Sequence, residues 1–198
     1  MIDALLLLSA ALGAPAAKHD CRIDQAAELR LDERQFDQDV TGGWRALDDR
    51  GCRREAADLI RAYRLAKHRS DERTLLWHEG QLRAGAGQTS RAIALFRRAK
   101  KPAAEDHDGW NLYVEGTIAF LHHDRSALLR ARAALAALPP PSRPETLTIQ
   151  GQVVQMPWPP NLNVLDGFLK CFGEPYALAY ACAKPFFHVE IPDKRPSP

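Results

Sequence analysis

The chain has 198 residues, 45 % hydrophobic and 26 % charged, with a net charge of +2. These values suit one folded domain plus a targeting segment. They argue against a dedicated nucleic-acid surface, which needs strongly clustered positive charge. The basic pairs Arg53-Arg54, Arg97-Arg98 and Lys100-Lys101 read as solvated helix faces, with docking of an acidic partner as the alternative.

Residues 1–17 have the layout of a signal peptide. An apolar run over Ala4–Leu12 is followed by Ala14-Pro15-Ala16, a small-x-small cleavage pattern. The run is too short for a stable membrane span. The expected location is periplasmic or secreted. The four cysteines agree with that, since their number is even and none lies in a CxxC. Cys21–Cys52 and Cys171–Cys182 are the favoured disulfides, because each pair is close in sequence and brackets one helical unit. The second requires a short or irregular helix before Cys171. A regular one would offset the two sulfurs by about 7 Å along the axis.

In chain order, Asp20–Asp24 caps a short helix running to about Asp32. A first long helix is predicted over Gln35–Asp49, where Phe36, Val40, Trp44 and Leu47 share a face, and Gly51 closes it. Its partner spans Glu55–His68. The second pair starts at Ser70-Asp71-Glu72, turns at Gly85-Ala86-Gly87, restarts with Thr89 or Ser90 as cap and stops at Pro102. The third starts at Asp106 or Asp108, turns at His122-His123-Asp124 and continues as an Ala/Leu-rich helix from Ala127 to Leu138. Pro139-Pro140-Pro141 ends it. Residues 142–160 form an irregular Pro-containing insert or a small β-hairpin. Residues 161–184 form a C-terminal helical hairpin turning at Gly173-Glu174-Pro175, and 185–198 a tail.

These helices repeat. Equivalent positions recur at a fixed step: Trp44, Gly80 and Gly116 are 36 residues apart, as are Ala56, Ala92 and Leu128; Leu59, Leu95 and Ala131; and Tyr63, Ala99 and Leu135. A period of this length marks stacked helical hairpins. The expected fold class is all-α, a short solenoid of three hairpins over 18–141 closed by a degenerate C-terminal one.

The pattern resembles tetratricopeptide repeats over Phe36–Pro140. In the middle repeat Leu76, Gly80, Gly87, Ala92, Phe96 and Ala99 occupy that family's large, small, turn, small, aromatic and small positions. The outer repeats depart from it at Trp44, Tyr63, Leu128 and Arg132. The resemblance implies a concave groove lined by the first helix of each pair. Arg45, Trp77, Gln81, Trp110, Tyr113, Thr117 and Phe120 then form a surface for a protein or peptide partner. Packing of the aromatics into the core, under the C-terminal hairpin, is the competing expectation.

No nucleophile elbow, P-loop, dinucleotide fingerprint or HExxH is present, so neither catalysis nor a cofactor is expected. The alternative function is a small metal-binding protein or hydrolase using His78, His107-Asp108 and His122-His123-Asp124.

Overall fold

The computed structural model describes residues 20–39, 41–67, 72–143, 146–149 and 152–183. The expected signal segment and tail, Val40 and the Ser70-Asp71 helix start lie outside them. The fold is mostly helical.

The N-terminal segment begins with α1 (Gln25–Glu28), one turn capped by the Asp24 carboxylate, which accepts the Ala27 N–H at 3.0 Å. The predicted long helix over Gln35–Asp49 does not form. It is split into a π-helical turn (Arg34–Gln38) and α2 (Arg45–Asp48). The reason is local. Asp39 accepts hydrogen bonds from the Thr41 N–H and hydroxyl at 2.9 and 3.0 Å, and Gly43 has φ +55, where a Cβ would lie 2.0 Å from the Phe36 carbonyl oxygen. An Asx turn followed by a left-handed glycine breaks a helix whatever its apolar period. The segment still packs: Phe36 stacks on Tyr63 with ring centroids 3.8 Å apart, and the Tyr63 hydroxyl donates to the Leu31 carbonyl at 2.9 Å.

Five long helices follow the expected rhythm. They are α3 (Arg53–Lys67), α4 (Arg73–Gly85), α5 (Thr89–Arg98), α6 (Trp110–Leu121) and α7 (Arg125–Ala136). Each packs on the next. Three turns share one geometry. Gly51, Gly87 and His123 all have positive φ, and they stand 36 residues apart. At each, the N–H of the left-handed residue and the next N–H bond back to successive carbonyls: Gly51 to Asp48 and Cys52 to Leu47; Gly87 to Ala84 and Gln88 to Arg83; His123 to Phe120 and Asp124 to Ala119. This is the Schellman closure of a helix end.

The helix starts differ from expectation. Neither Thr89 nor Ser90 caps α5, whose preceding residue is Gln88 with no side-chain cap. At α6 both candidate aspartates act, Asp108 accepting the Trp110 N–H at 3.2 Å and Asp106 the Asn111 N–H at 3.0 Å. Asp124 caps α7 by accepting the Ala127 N–H at 2.8 Å.

The Pro-containing insert holds an antiparallel hairpin, β1 (Thr146–Ile149) and β2 (Gln152–Gln155), with Thr146 opposite Gln155. The C-terminal pair, α8 (Leu162–Lys170) and α9 (Tyr176–Ala181), folds back: α8 packs on α6 and α7, and α9 on α4. Both favoured disulfides are present, with Cα–Cα distances of 5.5 Å for Cys21–Cys52 and 6.4 Å for Cys171–Cys182. The second closes because α8 ends at Lys170 and Cys171 has left the helical conformation, which removes the axial offset.

Buried residues form two clusters that meet at α4. Phe36, Trp44, Ile60, Tyr63, Leu75 and Leu82 belong to the first. Leu76, Trp77, Phe96, Tyr113, Phe120, Leu165, Phe168 and Tyr176 belong to the second. All twelve positions that recur at the 36-residue step are buried.

Candidate functional site

The aromatic stripe is not an open groove. Trp77, Tyr113, Thr117 and Phe120 are all buried. Trp77 packs at 4.4 Å on Phe96, 4.8 Å on Trp110 and 4.9 Å on Tyr113, centroid to centroid. Phe120 stacks on Phe168 of α8 at 4.5 Å, and the Thr117 hydroxyl donates to the Tyr113 carbonyl at 3.0 Å. Trp110 is half-buried, and its indole N–H donates to the Ala99 carbonyl at 2.8 Å. The correction has a physical reason. Rings spaced by helical turns on α4 and α6 present a large apolar area, and α8 and α9 bring Val164, Leu165, Phe168 and Ala179 to cover it.

The cover is incomplete at one end. A cleft of about 220 Å³ lies between α2, α4 and α9, with Trp44, His78, Gln81, Leu82, Tyr176 and Tyr180 among its lining residues. Of the groove residues expected from sequence, Gln81 lines it. Arg45 stands beside it, its guanidinium 4.1 Å over the Trp44 ring and hydrogen-bonded to the Asp37 carbonyl. Trp77, Trp110, Tyr113, Thr117 and Phe120 do not line it.

Behind the cleft lies Asp37, which bonds to two of its lining residues, Trp44 and His78. Its side chain is 1 % exposed. One carboxylate oxygen accepts the Trp44 indole N–H at 2.9 Å and lies 2.7 Å from His78 Nδ1. A carboxylate has no proton to give, so Nδ1 carries the hydrogen of this contact. Burial pushes the Asp37 carboxyl up, but the His78 hydrogen bond and charge, the Trp44 hydrogen bond and the Arg45 charge outweigh it, so the group stays below the usual carboxylate range. Tyr176 adds a second polar feature. Its hydroxyl is buried with no well-formed hydrogen bond among the described residues, and burial holds its proton on far above the ordinary phenol range, with the Gln81 amide pulling the other way.

Asp37 is the residue of the candidate site that sequence reasoning missed. It lies 41 positions before His78, in the π-helical turn that the expected long helix did not contain. His78 itself was among the candidates. His107, His122 and His123 are exposed and do not join it. Among the described residues, the one grouping of three potential ligand side chains is Cys21, Cys52 and Glu55, and its two sulfurs are bonded to each other. Among those residues, no helix is long and apolar enough to cross a membrane.

Comparison with protein-family models, curated proteins and solved structures finds no match to this chain.

Proposed function

We propose that this chain is an exported, disulfide-bonded scaffold of three tetratricopeptide-like helical pairs, which holds a protein or peptide partner without transforming it. Three equivalent turns at Gly51, Gly87 and His123 support the repeat reading. The observation that carries the binding reading is the cleft: an indole and a phenol wall flank an imidazole oriented by a buried carboxylate. Aromatic walls around one oriented imidazole suit a single anchoring side chain of a peptide. The volume is below that of an ordinary small-molecule pocket.

A peptide-display selection on the full chain tests this. Peptides enriched by the wild type should be lost with His78→Ala and with Tyr180→Ala, at unchanged melting temperature. Enrichment that survives both variants removes the cleft as the site. Export is tested by mass spectrometry of the mature N-terminus, which should begin near Ala17; an intact Met1 in the native cell overturns it.

One observation favours a second reading. The Asp37–His78 pair resembles in geometry the base and orienting carboxylate of a hydrolase, and water could take the nucleophile's place. Ester hydrolysis by the wild type that vanishes in His78→Ala would establish it. A wild type without turnover over a panel of activated esters ends it.

A further inference from the structure

Two larger grooves lie elsewhere on the molecule, and they are copies of each other. One, of about 510 Å³, is framed by α3, α4 and α5. The other, of about 610 Å³, is framed by α5, α6 and α7. Adding 36 to the residue numbers lining the first reproduces the lining of the second at eight of nine positions. Arg61 becomes Arg97, Arg64 becomes Lys100 and Glu79 becomes Glu115. An ion pair is carried along: Arg64 to Glu79 at 2.8 Å, and Lys100 to Glu115 at 2.7 Å. The repeat therefore reproduces a concavity as well as a core.

The grooves share an excess of positive charge. In the first, Arg64 and Arg83 are buried around Glu79, with Glu72 and Asp58 completing the network. Arg61 and Arg91 stand exposed at its edge, and neither makes an ion pair among the described residues. In the second, exposed Arg97 and Arg130 are in the same condition. Four guanidiniums without an ion-pair partner among the described residues therefore line two adjoining concavities, on a chain whose whole net charge is +2. Arg61 and Arg97 repeat one sign at the 36-residue step; Arg91 and Arg130, whose equivalents are Ala127 and Ala94, add to it beside Asp58 and Asp124. The floors differ. The first is ionic, whereas the second is apolar, with half-buried Leu112 and Ile118.

We propose that the tandem grooves bind one acidic, amphipathic segment of a partner polypeptide. Its carboxylates would take forked hydrogen bonds from Arg61, Arg91, Arg97 and Arg130, and its apolar side chains would settle on Leu112 and Ile118. The surface is separate from the His78 cleft and does not depend on it.

The test uses the full chain and a fluorescein-labelled peptide of repeated Glu-Glu-Leu, read by anisotropy. Binding is expected at low salt and should weaken at least tenfold on raising salt to about 0.3 M, as screening shortens the reach of exposed charges. Arg61→Glu with Arg97→Glu should abolish it, and Arg91→Glu with Arg130→Glu should do the same; all four side chains are exposed, and a circular-dichroism melt verifies folding. His78→Ala should leave it unchanged, which separates this surface from the cleft. Three results overturn the proposal: no binding at low salt, equal binding by both charge-reversed pairs, or equally tight binding of single-stranded oligothymidylate lost in the same variants, which would make the grooves a nucleic-acid surface.

Discussion

At the scale of single residues, Asp37 concentrates the most chemistry. It gives up hydration to accept from Trp44 and His78, and a buried carboxylate is tolerated only when so partnered. Its folded pKa lies below the ordinary 3.8. The sign follows: its stabilising contribution is complete above the unfolded value and is lost as pH falls through the folded one. Asp37→Asn should therefore cost about 2 kcal/mol at neutral pH, and the gap to wild type should narrow as pH approaches 3, measured as urea midpoints across that range. A gap independent of pH would mean that the carboxylate's charge contributes nothing. Arg45 acts on the same group from outside, through the Asp37 carbonyl and the Trp44 ring, so it stands beside the site but not in it.

At the scale of elements, the repeated turns supply opposite predictions. Gly87 has φ +74 and open space around its Cβ position, so Gly87→Ala should destabilise by about 1 kcal/mol through backbone strain alone. His123 holds the same conformation with φ +56 and a side chain in place. His123→Gly should stabilise by about 0.5 kcal/mol, the relieved strain exceeding the added entropy of the unfolded chain. Thermal midpoints of the two variants should move in opposite directions. Gly80 has a different reason for being glycine: an added Cβ would lie 2.5 Å from the Phe96 ring, which is fully buried against Trp77. Overpacking of about 1–3 kcal/mol outweighs the helix-propensity gain of about 1 kcal/mol, so Gly80→Ala should lower the denaturation midpoint. Much of this was legible. Gly51, Gly87 and the turn at His123 could be read from glycine placement and helix rhythm, because capping chemistry is local. The break in Gln35–Asp49 was written in Asp39 and Gly42-Gly43, but an apolar period alone does not register it.

At the scale of the whole molecule, the C-terminal pair decides what the aromatic stripe becomes. The Cys171–Cys182 bond ties the end of α8 to the end of α9 across 11 residues. Replacing both by serine should cost about 3 kcal/mol, the loop-closure value for such a span, and should raise binding of a hydrophobic dye as Trp77, Tyr113 and Phe120 lose cover. Full-length variant with unchanged melting and no added dye binding would mean that packing alone holds α9. The candidate site was less legible than the fold for a related reason. Asp37, His78 and Tyr180 come from three separate elements, and no spacing in the chain announces their meeting.

The sequence by itself determined the helical class, the 36-residue period and the turn chemistry, since each depends on side chains within one or two helical turns or on one repeated step; it favoured the pairing of the cysteines, which the tertiary structure decided. Only the tertiary structure decided which face of that repeat stays open. An aromatic stripe at helical spacing serves equally well as a core or as a groove. The choice rests on whether another element of the chain covers it, and α8 and α9 do so, leaving the small cleft at His78 and the two charged grooves framed by α3–α5 and α5–α7.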